Sequence, residues 1–200
     1  MNRRPKTFAI SIAIIIVLFT LASFFLNMGD LNTIHKPPDF YYHSREVSLD
    51  EMVDIANGFN LSIYLPSELP NNLELTAIYL RDNDFLAIVA YSAEGNEDYK
   101  TAEFGIQISP LPPEFTPTYD DLRSEAETSE YKTALEINSW PVLINEKANW
   151  GGNEEAREKY GDYVLHVQVW IDGMEYNIGA PTLNVETTVE LVESMNLFTP

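Results

Sequence analysis

The sequence contains no cysteine, and this absence excludes several classes of protein. A lipid-modified lipoprotein needs a cysteine to acylate, and a disulfide-stapled domain needs cysteines in pairs. Structural zinc sites use cysteine or clustered histidine, and the chain has only His35, His43 and His166, which are far apart in sequence. We therefore expect the fold to be stabilised by its hydrophobic core, without disulfides, zinc or any other cofactor.

Basic residues are scarce. The chain has 12 lysines and arginines against 31 aspartates and glutamates, and three of the 12 lie in the first six positions. The remaining nine are spread among all 31 acidic residues. A surface this acidic repels nucleic acid and anionic lipid headgroups, so we expect no nucleic-acid partner. It attracts cations and basic proteins, although acidity also serves simple solubility.

Signatures of catalysis are also lacking. The sequence has no G-x-S-x-G turn, and the predicted position of His166 is the polar face of a strand, typical of an ordinary solvated histidine. Paired carboxylates could hydrolyse glycosides, but 31 acidic residues make such pairs uninformative. The sequence therefore predicts a protein that is not an enzyme.

One long apolar segment is present. Phe8–Leu26 is a run of 19 residues without a charge, preceded by Arg3, Arg4 and Lys6. As a helix it would span about 28 Å, the thickness of a bilayer's hydrocarbon core. Basic residues collect on the cytoplasmic side of membrane helices. We expect a cytoplasmic tail (residues 1–7), a transmembrane anchor (8–27) and a single-pass protein of the cell membrane with its domain outside.

A cleaved secretory signal is the competing interpretation of this segment. Thr20 and Ala22 are small enough to precede a cut after Ala22. The run continues through Phe24 to Leu26, however, which favours a retained anchor. Both interpretations send the rest of the chain out of the cytoplasm.

The exported chain is predicted to be a spacer (residues 28–47) followed by one domain (residues 48–200). Ser48 is placed to cap a short helix, with Glu51 reaching back to its amide and Gly58 ending it. A second helix is expected at about residues 185–196, and a polar one at about 119–131. Strands are predicted at residues 61–65, 73–80, 85–91, 101–108, 134–137 and 141–145.

The clearest local pattern is a hairpin over residues 163–178. Asp172-Gly173 fits a two-residue turn, which pairs Val169 with Tyr176 on an apolar face. Two further pairs then share a polar face: Trp170 with Glu175, and Gln168 with Asn177. With the other strands this predicts an α+β fold, in which an antiparallel sheet of about six to eight strands carries a short N-terminal and a C-terminal helix.

The polar face of this hairpin is the predicted binding surface. Helices on one face of a sheet leave its other face to solvent or to a ligand. The candidate ligand-binding residues are His166, Gln168, Trp170, Glu175 and Asn177. Trp170 is expected to be exposed, since its cross-strand partner is charged, and Trp140 and Trp150 are weaker candidates for stacking against sugar or peptide.

Two other kinds of site are suggested by short motifs. Asp82-x-Asp84 and Glu154-Glu155 offer hard oxygen ligands to calcium, but the D-x-[DN]-x-[DN]-G loop is absent, and solvated turns explain both pairs. We therefore predict no metal site. Asn60-Leu61-Ser62 is an N-glycosylation sequon on the exported side.

The domain resembles a family of extracytoplasmic domains of unknown function that follow a membrane helix in bacteria and archaea, some fused to anti-sigma-like or lipoprotein-carrier-like regions. The resemblance lies in three stretches: Ile63–Pro66 with Leu69-Pro70, the hairpin ending in Ala90-Tyr91, and Trp170–Tyr176 leading into the last helix. Asn71-Asn72 departs from the Gly-aromatic pair expected there. The family carries no established catalytic residues, so the resemblance implies no site.

These observations together predict a membrane-anchored binding or accessory domain that recognises a protein or a cell-envelope component. The alternative is an enzyme or carrier acting on cell-envelope polymers or lipids, which would need a deep pocket.

Overall fold

The computed structural model describes residues 43–81 and 83–198. The predicted tail and anchor, the signal cleavage point and most of the spacer lie outside these residues. Within them, no helix has the length and apolar character needed to cross a bilayer.

The described chain forms four helices and ten strands. The helices are α1 (Leu49–Gly58), α2 (Tyr119–Ala126), α3 (Glu154–Tyr160) and α4 (Val185–Glu193), with a short 3-10 turn at Pro113–Phe115. The first five strands are β1 (Arg45–Glu46), β2 (Tyr64–Pro66), β3 (Glu74–Arg81), β4 (Leu86–Ser92) and β5 (Phe104–Pro110). The others are β6 (Lys132–Ile137), β7 (Trp140–Ala148), β8 (Val164–Ile171), β9 (Met174–Gly179) and β10 (Met195–Leu197).

Eight of these strands form one antiparallel sheet in the order β1-β3-β4-β5-β9-β8-β7-β6, and β2 pairs with β10 separately. The predicted α+β class, the antiparallel sheet and both terminal helices are confirmed. Five predicted strands, at residues 73–80, 85–91, 101–108, 134–137 and 141–145, are present within three residues of their predicted ends. Helix α3 and strands β1 and β10 were not predicted.

The β8–β9 hairpin forms with the predicted register. Asp172 and Gly173 have φ of 49° and 77°, the positive values that a two-residue turn requires. Val169 pairs with Tyr176 on one face, and Gln168 pairs with Asn177 on the other. The Asp-Gly turn therefore determines which side chains of this hairpin face each side of the sheet.

Helix α1 begins after Ser48 and ends at Gly58, as predicted, but its capping contacts differ in detail. Ser48 Oγ accepts a hydrogen bond from the Glu51 amide at 3.2 Å. The Glu51 carboxylate pairs with Arg45 at 2.6 Å, which is not the predicted return bond to the Ser48 amide. The helix ends at Gly58, as predicted, but Gly58 itself is not left-handed; Asn60 takes that conformation (φ 57°).

The first face of the sheet carries the main core. Apolar side chains from the central strands pack there with Met52 and Val53 of α1 and with Leu191 and Val192 of α4. Burying one large side chain of this kind contributes about 1.5–3 kcal/mol, so this face supplies most of the stabilisation. The fully buried side chains include Phe104, Ile106, Ile108, Val167, Val169, Tyr176 and Ile178.

The small β2–β10 sheet completes this side. The predicted strand at residues 61–65 is shorter and lies at Tyr64–Pro66, and the last helix ends at Glu193, before the predicted residue 196. Tyr176 Oη accepts from the Tyr64 amide at 3.0 Å, and the Tyr64 hydroxyl donates to Asp172 at 2.6 Å. The small sheet is thereby attached to the β8–β9 turn.

Two parts of the second face are covered by other elements. Helix α2 lies over β6 and β7, where Leu122 contacts Leu143 and Trp170. On the other side, Tyr99 and Ala102 of the β4–β5 loop cover Ala77 and Ala90. Between them the middle of the face, on β5, β9 and β8, is partly open: Gln107 is exposed, and His166, Gln168, Glu175 and Asn177 are half-buried.

Candidate functional site

Three carboxamide side chains form a row across the open middle of the second face. Gln168 of β8 pairs with Asn177 of β9, and Asn177 pairs with Gln107 of β5. Directly paired residues lie on the same side of a sheet, with strands about 4.8 Å apart. Gln107 is exposed, and Gln168 and Asn177 are half-buried. Each carboxamide offers both hydrogen-bond donors and an acceptor.

The neighbouring row has almost no side chains. Gly105 of β5 pairs with Gly179 of β9, which in turn pairs with His166 of β8. A Cβ added at Gly179 would meet no atom within 4 Å, and at Gly105 it would approach only the Val89 carbonyl oxygen, at 3.9 Å. Neither glycine has a positive φ, so the backbone does not require glycine there. Their effect is to leave a low floor beside the carboxamide row.

Glu175 carries a formal charge next to the carboxamide row, two residues before Asn177 on β9. Its Oε1 accepts a hydrogen bond from Gln168 Nε2 at 3.1 Å. We call Gln107, His166, Gln168, Glu175 and Asn177 the polar patch. Four of these five residues were predicted from the hairpin pattern, and the structure brings them together; Gln107 was missed.

The electrostatics of the patch favour a neutral His166. Burial lowers the pKa of this imidazole from its ordinary value of 6.5, while the nearby Glu175 charge and a hydrogen bond with Asn177 raise it. Burial is the largest of these effects, so the pKa is lowered overall. At neutral pH the patch therefore carries the carboxylate of Glu175 and no positive charge.

Ser109, a hydroxyl residue on this face, is not placed to pair with His166. Ser109 pairs with Glu175 and thus lies in the row of Trp170, four residues along β8 from His166. That separation is about 13 Å along the strands, far beyond hydrogen-bond reach. The arrangement is suited to hydrogen bonding of a ligand across the sheet.

Trp170 does not belong to the exposed surface, and the expectation that it would be exposed is wrong. It pairs with Glu175 as predicted, but only 7 % of it is exposed. Helix α2 folds over this side of the sheet, and Leu122 covers the ring together with Leu143. The remaining candidate ligand residues, His166, Gln168, Glu175 and Asn177, are half-buried.

The other two tryptophans are half-buried and occupied by packing. Trp140 meets the Tyr64 ring edge-on at 5.6 Å between centroids. Trp150 stacks on Tyr160 at 6.0 Å and donates from Nε1 to the Gly161 carbonyl at 2.6 Å. Neither side chain lies in the polar patch.

The acidic pairs considered for calcium have other roles where the structure describes them. Asp82 lies outside the described residues, and Asp84 accepts two hydrogen bonds from Arg81, at 2.6 and 2.7 Å. Glu154 and Glu155 occupy the first turn of α3, where carboxylates suit the helix dipole. Across residues 43–81 and 83–198, no three acidic or histidine side chains are grouped as metal ligands would be.

The sequon asparagine is accessible. Asn60 is exposed in the turn after α1, with its amide bonded to the Asn57 carbonyl at 3.0 Å. Its accessibility is what glycosylation requires, and whether Asn60 is modified stays a prediction.

A small cleft lies away from the patch, beside α4. It holds about 160 Å³ and is lined by Glu68, Leu69, Pro70, Thr187, Glu190 and Leu191. Sites for small-molecule ligands usually measure roughly 300–1,000 Å³. This cleft is smaller than such a site.

Comparison with known proteins identifies no relative: no family model, no curated protein and no solved structure matches the chain. The resemblance to extracytoplasmic domains therefore stays a prediction.

Proposed function

We propose that this chain is a membrane-anchored extracytoplasmic domain that binds a protein or a cell-envelope component through the polar patch. The apolar segment Phe8–Leu26 and the basic residues before it support the anchor and its orientation. The carboxamide row of Gln168, Asn177 and Gln107 carries the binding assignment, because it lies in register across three strands on an open sheet face.

The glycine floor supports the same assignment. Gly105 and Gly179 keep the surface beside the row low, so a ligand can approach the sheet closely. A partner seated there would contact the side-chain amides of the row. If stability alone determined the residues at these two positions, larger residues with a high β-propensity would be favoured there.

The alternative function is an enzyme or carrier for envelope polymers or lipids. It needs a deep pocket, and the cleft of about 160 Å³ beside α4 is below the usual size range of ligand sites. The patch also separates Ser109 from His166 by about 13 Å of strand. Among the described residues, neither this cleft nor the Ser109–His166 pair supports the alternative.

The predicted location of the domain outside the cell membrane is tested by proteolysis of intact cells that make the protein. Protease added outside should remove the domain and leave a fragment of about anchor size. Disruption of the cells before digestion serves as the control for protease access. Complete protection in intact cells, with cleavage after disruption, would contradict the orientation.

The binding surface is tested by site-directed photo-crosslinking. Because the chain has no cysteine, a single introduced cysteine can carry a benzophenone at one position. Gln107→Cys places it in the patch, and Asp54→Cys places it on the exposed side of α1 as the matched control. We expect an adduct in native membranes from Gln107→Cys only, lost when Asn177→Leu is added. Equal adducts from both positions, or an adduct insensitive to Asn177→Leu, would refute the assignment.

A further inference from the structure

The chemistry of the patch narrows its ligand to one class. We infer that the polar patch binds an extended peptide segment of a partner protein through one lysine or arginine, whose cationic group pairs with Glu175 while the peptide's backbone amides bond to the carboxamide row. This inference rests on the proposed function and specifies its ligand.

Charge complementarity carries the first step. The whole chain has a formal net charge of −19, and Glu175 is the charged member of the patch. Its carboxylate is half-buried and is held by a neutral donor, Gln168 Nε2. A hydrogen bond from a charged donor is roughly twice as strong as one from a neutral donor. A cationic side chain arriving from outside is therefore the group that Glu175 binds best.

The carboxamide row selects a peptide over a polyamine or an amino polymer. Gln107, Gln168 and Asn177 each present donors and an acceptor, which match the N–H and C=O groups that alternate along an extended peptide. A polycation would bring several charges to a patch that holds one carboxylate. The patch is thus suited to a single cation with amide groups on either side.

The glycine floor gives the peptide its path. Gly105 and Gly179 lie next to the carboxamide row, with open space above Gly179. A backbone lying over these two residues can approach the sheet without meeting side chains. From there its amides reach the row, and its basic side chain reaches Glu175 past Asn177.

The inference is tested by nuclear magnetic resonance on the full chain in a mild non-ionic detergent. The probe is the capped pentapeptide acetyl-Ala-Val-Lys-Val-Ala-amide, with comparison peptides that carry Gln or Glu in the middle, and spermidine as a polyamine. The side-chain amide signals of Gln107, Gln168 and Asn177 report binding at the patch. We expect the lysine peptide to shift them with a Kd on the order of 1 mM, a modest value because few contacts form.

Two isosteric variants make the test specific. Glu175→Gln removes the charge of the patch and should weaken the lysine peptide about tenfold. Glu136→Gln makes the same change on β6, at the exposed edge of the same sheet, and should leave binding unchanged.

Each other outcome overturns a defined part of the inference. Equal shifts from the lysine and glutamine peptides, insensitive to Glu175→Gln, would overturn the inference that a cationic side chain pairs with Glu175. The patch would still stand as a binding surface. Shifts from spermidine without shifts from the lysine peptide would overturn the inference that the ligand is a peptide. Shifts from no probe would overturn the whole inference, and the crosslinking from Gln107→Cys then decides the proposed function separately.

Discussion

Truncating Trp170 should strongly destabilise the domain, even though sequence alternation places it on the polar side of its hairpin. The side chain is 7 % exposed and packs with Leu122 and Leu143 under α2. Replacing a buried tryptophan by alanine costs about 3–5 kcal/mol, because contacts are lost and a cavity remains. For a domain of this size each kcal/mol lowers Tm by about 2–4 °C, so Trp170→Ala should lower Tm by roughly 6–20 °C.

The assay is thermal unfolding of the full chain followed by far-ultraviolet circular dichroism, which does not depend on tryptophan fluorescence. Phe115→Ala is the control, because Phe115 is 66 % exposed and its truncation should change stability by less than about 0.5 kcal/mol. A drop below about 2 °C for Trp170→Ala would refute the packing of α2 over this side chain.

A double-mutant cycle sharpens this test. Leu122→Ala opens the same cluster from the helix side, so its effect and that of Trp170→Ala should not add. Residues in contact show coupling of about 0.5–3 kcal/mol. Full additivity would mean that the two side chains do not share one packed cluster.

Three further predictions follow from single residues. Since burial lowers the pKa of His166, the imidazole binds a proton more readily in the unfolded chain than in the folded one. The free energy of unfolding should therefore fall as the pH drops below about 6.5. In urea titrations at several pH values, His166→Gln should flatten that slope. A slope that persists in the variant would assign it to other groups. Gly179→Ala should leave stability unchanged or raise it by up to about 1 kcal/mol, since a methyl group there meets only open space. The same methyl group should weaken ligand binding to the polar patch. A loss of stability in urea unfolding would contradict this prediction. Tyr64→Phe should cost about 0.5–1.5 kcal/mol by the same urea assay, because it removes the 2.6 Å bond to the exposed Asp172 carboxylate. No change would show that this bond does not stabilise the turn.

The local parts of this fold were predictable. The Asp172-Gly173 turn sets the register of β8 and β9 by itself, so the pairing of Gln168 with Asn177 followed from neighbouring residues alone. Ser48 capped its helix for the same reason. Such features depend on a few consecutive residues and need no knowledge of the rest of the chain.

The errors concern contacts between distant parts of the chain. The pattern of β8 placed Trp170 on the correct side of the sheet, but its burial depends on α2, more than 40 residues earlier. Gln107 was missed because nothing near it indicates that β5 lies beside β9. Helix α3 is seven residues long, and Ala156 is its buried residue; the others are mostly polar, so the sequence shows no apolar period there.

The central claim, that the polar patch is an occupied binding surface, is tested most directly by cysteine labelling in living cells. The labelling rates of Gln107→Cys and Asp54→Cys with a membrane-impermeant maleimide are measured in intact cells and on the purified chain. Both residues are exposed, so both should label when the chain is pure. We predict that in cells only Gln107→Cys is slowed, by at least about tenfold. Equal rates in cells and in purified protein at both positions would show that nothing covers this face.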